Sequence, residues 1–74
     1  MALDFQIVEP ICVISEHNGW TKKLNIVSWN HREPKFDIRE WNSDHSKMSK
    51  GITFTDEEAE ILYMALHNFL TEVK

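Results

Sequence analysis

The sequence predicts an α+β domain in which four antiparallel strands precede one C-terminal helix, ββββα. Three observations carry that prediction. Apolar and polar residues alternate with period two in short runs before residue 55, and turn-forming groups, Asn18-Gly19 and His31-Arg32-Glu33-Pro34, separate those runs. After Thr55 the apolar period becomes that of a helix.

Phe5 to Val8 alternates and meets Pro10, which cannot donate to a sheet ladder and signals an edge, bulge or bend. Ile11 to Ser15 resumes as a strand, so one long strand kinked near Pro10 is expected, with Cys12 as a core residue. Asn18-Gly19 is a hairpin turn signal. Lys23 to Asn30 alternates again: Leu24 and Ile26 are core candidates, and Trp29 falls on the opposite, exposed face. Lys35 to Trp41 places Phe36 and Ile38 on a core face and Lys35, Asp37, Arg39 and Trp41 on the other. Asn42 to Lys50 has no apolar period and reads as a loop. Ile52 and Phe54 then face the core, with Thr53 turned away.

The helix is marked by Thr55 at the N-cap and Glu58 three residues later, a capping box, with Asp56, Glu57 and Glu58 where the helix dipole favours negative charge. Ala59, Leu62, Leu66, Phe69, Leu70 and Val73 recur at helical spacing, and Ile61, Met64 and Ala65 widen the stripe beyond what one small sheet needs to cover. That surplus favours a homodimer through Leu62, Leu66, Phe69, Leu70 and Val73 over a helix that only completes its own core.

At 74 residues there is room for one domain, residues 1–74, and so short a chain buries only ~60% of its unfolded surface. A partner subunit would therefore help it. One cysteine permits no internal disulfide and fits a reducing compartment. No basic leader and no run of about 18 apolar residues is present, so a soluble, cytoplasmic protein with no membrane partner is expected.

Net charge is −4, yet it is unevenly distributed. Residues 1–19 carry −3, residues 20–50 carry +3, and residues 51–74 carry −4. Seven of the eight cations (Lys22, Lys23, Arg32, Lys35, Arg39, Lys47 and Lys50) and all three tryptophans lie in the middle segment. A local patch of this kind matters more to a polyanion than whole-chain charge. Aromatic rings accept bases by stacking, and neighbouring cations track phosphates. Trp29, Arg39 and Trp41, rimmed by Lys35, Lys47 and Lys50, supply both. The acidic helix start would be repelled by a duplex backbone, which favours single strands.

Other chemistries have less support. His17, His31, His45 and His67 show no metal-ligand spacing, and no phosphate-cradling glycine pattern exists. Asp44-His45-Ser46 contains triad residue types, but triad geometry is assembled across a fold and not by adjacent loop residues. A non-enzyme without cofactor, metal or small-molecule substrate is expected.

The run Asp37-Ile38-Arg39-Glu40, an aromatic, a polar loop, Lys50-Gly51-Ile52, a short strand and a helix resembles the C-terminal domain of the transcriptional positive cofactor four family. It is closer still to the compact prokaryotic YdbC-type branch, which has close counterparts of Leu24-Asn25, Val27-Ser28, Pro34-Lys35, Asp44-His45 and Lys47-Met48. The resemblance implies a curved four-stranded sheet plus helix, dimerisation through the helices, and single-stranded DNA on the sheets' outer faces with little sequence preference and no catalysis. By position, it implies that Arg39 and Lys50 contact phosphates and that Trp29 stacks on a base. The eukaryotic domain has Tyr-Trp after its Arg-Glu where this chain has Trp41-Asn42. Trp41 is taken as the second stacking residue because alternation sets it beside Arg39. The serine-rich tail of the eukaryotic protein is absent, so coactivation through such a tail is not transferred.

The expected function is single-stranded DNA binding in transcription, replication or repair, alongside proteins of those pathways. The nucleic-acid contacts are assigned to Trp29, Arg32, Lys35, Arg39, Trp41, Lys47, Lys50, Lys22 and Lys23. Two alternatives stand beside it: a dimeric protein-interaction module without nucleic acid, and a single-stranded RNA binder.

Overall fold

The structure, a computed structural model, describes residues 4–72. Its elements follow the expected order: β1 (Phe5–His17), β2 (Trp20–Trp29), β3 (Lys35–Trp41), β4 (Ile52–Phe54) and α1 (Asp56–Glu72). The strands form one antiparallel sheet in the order β1-β2-β3-β4.

Pro10 lies inside β1, where its missing N–H is tolerated because β1 is an edge strand. The β1–β2 register shifts between Ile7 and Glu9, between Pro10 and Cys12, and between Val13 and Ser15. Each such irregularity increases local twist, and together they bend the long strand and curve the sheet. At the hairpin, Asn18 and Gly19 have φ of 51° and 82°, the pair of left-handed residues that a type I′ turn requires. The capping box also forms: the Glu58 amide donates to Thr55 Oγ1 at 3.1 Å, and the Thr55 amide donates to Glu58 Oε1 at 2.8 Å.

The core lies elsewhere than alternation suggested. Its fully buried members, Val27, Trp41, Asn25 and Asp37, sit on the face that was expected to be exposed. Leu24, Ile26, Phe36 and Ile38, expected in the core, are only half-buried, and Ile52 is 58% exposed. Only Phe54, packed 5.6 Å from Phe36, is buried as expected. The cause is the helix, which meets the sheet mainly along β3 and buries none of its own residues. Cys12 is exposed for a related reason, since β1 is exposed along its length from Val8 onward. Leu62, Leu66, Phe69 and Leu70 are all more than 40% exposed, and Val73 lies outside the described residues.

Gly51 has a packing role. A Cβ at this position would collide with the Ile38 carbonyl oxygen and the Arg39 Cβ, both parts of β3 that cannot swing aside. Gly51→Ala is therefore expected to lower stability by about 1–3 kcal/mol, the usual cost of overpacking, measured as a shift in the urea midpoint.

Candidate nucleic-acid interface

Residues paired across antiparallel strands share a face. Thr21 pairs with Trp41, Lys23 with Arg39, Asn25 with Asp37, and Val27 with Lys35; Thr53 of β4 pairs with Asp37, and Phe5 of β1 with Trp29. One face thus gathers Lys23, Trp29, Lys35, Arg39 and Trp41 of the assigned contacts. Lys22 does not join them. It pairs with Glu40 on the opposite face, one residue out of phase.

Arg39 occupies the centre and is heavily engaged. Its Nε donates to Asp37 Oδ1 at 2.8 Å and Oδ2 at 3.0 Å, and its Nη2 donates to Oδ2 at 2.8 Å. Nη1 points to the Ser49 carbonyl at 3.4 Å and to Met48 Sδ at 3.7 Å, while the guanidinium lies 4.5 Å from the centre of the Trp29 ring. The side chain of Asp37 is 0% exposed and that of Arg39 is 13% exposed. Arg39 is thus tied to a buried carboxylate and braced against the loop that follows β3, which leaves only a small part of its guanidinium open to a phosphate.

The two assigned tryptophans differ. Trp29 is half-buried and borders a cleft of about 120 Å³ with Arg32, Glu33, Lys35 and Thr53. Trp41 is 0% exposed, with Phe5 at 5.2 Å and His45 at 5.2 Å from its ring. It cannot offer a free face to a base, which corrects the second stacking assignment. Alternation determined which side of the sheet Trp41 faces, but not that Phe5 and the returning loop would cover it.

Arg32, Lys35, Lys47 and Lys50 are exposed, and Lys23 is half-buried. Asn25 Nδ2, Trp29 Nε1 and Trp41 Nε1 are buried on this face and find no acceptor among the described residues. Unmet donors of this kind cost about 1–3 kcal/mol each. Those donors are sealed from solvent, so it is the exposed cations of this face that complement a ligand rich in acceptors. The larger cleft, about 230 Å³, has Glu33, Asp56 and Glu57 around Lys35 and would repel phosphate.

The loop between β3 and β4 is internally braced. Asn42 Nδ2 donates to Ser46 Oγ at 3.0 Å, the Lys47 amide donates to Asn42 Oδ1 at 3.0 Å, and the Ser46 amide donates to Asp44 Oδ1 at 3.0 Å. Hydrogen bonds from the Ser46 hydroxyl and amide hold the Asp44 carboxyl below the usual carboxylate range. This loop sets His45 against Trp41 and brings Lys23 Nζ 3.1 Å from His45 Nε2. Sequence alone offered no signal for that contact. The Asp37–Arg39 pair was legible, since opposite charges two apart on a strand share a face.

Among the described residues no helix is long and apolar enough to cross a membrane, and no three His, Cys, Asp or Glu side chains gather as metal ligands. The profile of the family described as Transcriptional Coactivator p15 (PC4) matches residues 17–65. An uncharacterized protein of Treponema pallidum (strain Nichols) is 54% identical over 41 residues, which cover 55% of this chain and 48% of the relative. The matched region thus spans about half the length of that relative.

Proposed function

We propose a function from one premise: the chain belongs to the transcriptional coactivator p15 (PC4) family. That family is a single-stranded-DNA-binding coactivator fold, so nucleic-acid binding is supported at family level. The finer reading is that this chain, as a homodimer, binds single-stranded DNA with little sequence preference and acts in the regulation of transcription or in replication and repair. No catalytic step is part of it.

One observation carries the residue assignment: Trp29, half-buried between Phe5 and the Arg39 guanidinium, borders a cleft on the shared face where Arg32 and Lys35 outnumber Glu33. Its ring accepts a base by stacking, which discriminates little among bases because each has a π-face. Arg32 and Lys35 meet the adjoining phosphates, and Lys23, Lys47 and Lys50 extend the track. Arg39 is assigned a positioning role, fixing one side of the Trp29 ring while Asp37 neutralises its charge. A duplex fits less well, because the helix opens with three acids and would be pushed away from a second phosphate strand.

The test is a tryptophan-fluorescence titration with oligo-dT and with the matching duplex, at low and moderate salt. Saturable quenching by the single strand is expected, with log affinity falling against log salt by about 0.7 per phosphate contact. Trp29→Ala is expected to weaken oligo-dT binding by about 1–3 kcal/mol while the melting curve stays cooperative. Flat traces from the folded protein would reject the DNA-binding reading and favour a protein-interaction module. Stronger binding to oligo-U than to oligo-dT would transfer the proposal to RNA.

A further inference from the structure

We propose that Lys23, His45 and Trp41 form a second nucleotide subsite, in which a base lies on the His45 imidazole and its phosphate meets Lys23. The inference rests on the single-stranded-DNA reading and assigns a residue, His45, that neither the sequence analysis nor that reading includes.

Trp41 supplies no stacking surface of its own, being 0% exposed. Its neighbour does. The His45 ring lies 5.2 Å from the Trp41 ring at an interplanar angle of 50°, and His45 is only half-buried, so part of its surface remains open. Histidine is one of the aromatic side chains on which unstacked bases rest. Here the imidazole leans against a large indole, which supports it from one side.

The hydrogen bond sets its chemical state. A lysine ammonium has only donors, so the 3.1 Å contact requires His45 Nε2 to accept from Lys23 Nζ, which leaves the ring proton on Nδ1. The ammonium keeps further protons to donate. Among the described residues no carboxylate lies within ion-pair distance of Lys23. Its cross-strand neighbour is Arg39, whose charge Asp37 already offsets. Lys23 is therefore a partly buried cation without a counter-anion, beside an aromatic ring and on the face that carries Trp29. A phosphate next to a stacked base completes that arrangement.

The loop holds His45 in place before any ligand arrives. Its φ is 61°, a left-handed conformation that a side-chain-bearing residue adopts at a cost, and its amide donates to the Asn42 carbonyl at 3.1 Å. The Asn42, Asp44, Ser46 and Lys47 hydrogen bonds keep the turn closed around it.

The test is NMR of the wild-type imidazole C–H signals and the tryptophan indole signals during titration with oligo-dT, together with affinities of three variants. The His45 signals are expected to move with the same saturation as those of Trp29. His45→Ala should lose roughly 5- to 150-fold in affinity, His45→Phe should stay within about threefold of wild type, and Lys23→Met should lower the salt slope by about 0.7. If the His45 signals stay fixed while those of Trp29 move, the subsite is wrong and the DNA-binding reading survives. A wild-type protein that leaves both sets unmoved and shows no quenching would overturn the reading and the subsite together.

Discussion

Arg39→Ala is expected to unfold this domain or bring it close to unfolding. The substitution removes the side-chain partner that Asp37 has among the described residues and leaves a carboxylate, 0% exposed, buried without a counter-charge. Breaking a buried pair from one side typically costs about 3–5 kcal/mol. A domain's whole stability is about 5–15 kcal/mol, and one of this size sits near the low end. At ~4–8 °C per kcal/mol for a small domain, the melting midpoint should fall by at least ~12 °C in a circular-dichroism melt. The loss extends beyond the pair, because the same guanidinium holds the Ser49 carbonyl and covers the Trp29 ring. Replacing both charges, Asp37→Leu with Arg39→Met, should recover much of the stability, since apolar substitution of a whole buried pair is often neutral. An Arg39→Ala protein that melts within a few degrees of wild type yet loses oligo-dT affinity would restore Arg39 to a direct phosphate contact.

The contrast between Arg39 and Trp29 shows what a strand pattern can and cannot carry. Period-two alternation correctly grouped Lys35, Asp37, Arg39 and Trp41 on one face, and turn chemistry located the Asn18-Gly19 hairpin. The capping residues Thr55 and Glu58 fixed the helix start because that signal is local, three residues long, and satisfied by backbone donors. Burial is not local. Whether Trp41 faces solvent depends on Phe5, thirty-six positions earlier, and on a loop whose conformation includes a left-handed histidine. Leu24, Ile26 and Ile52 failed as core residues for the converse reason: their face was assigned correctly, but the helix of the same chain does not lie over enough of it. Both misplacements are non-local in origin: the chain's own loop closes over Trp41 on one face, and the helix covers too little of the other.

The proposed second copy makes Leu66→Glu the other large effect. The chain exposes 5926 Å² for a mass of 8.8 kDa, whereas a compact monomer of that mass exposes roughly 4,800 Å². The excess, about 1,100 Å², is of the order that one partner contributes to a standard interface, ~800 Å². Exposed apolar residues are found on β1 and on α1, and Ile61, Leu66, Phe69 and Leu70 of α1 and Ile52 of β4 are each more than half exposed. An apolar helix face of this width is poorly suited to water but well suited to an isologous contact, in which each residue serves twice. Burying a leucine stabilises by about 1.5–3 kcal/mol, so losing Leu66 from both copies removes about twice that, before the cost of placing two carboxylates in an apolar seam. Leu66→Glu is therefore expected to sediment as a monomer and to melt well below wild type. The wild-type midpoint should rise with protein concentration, as linkage requires when folding and association are coupled. A wild-type protein that sediments as a monomer at tens of micromolar, with a midpoint independent of concentration, would remove the homodimer and leave the apolar helix face for a different partner.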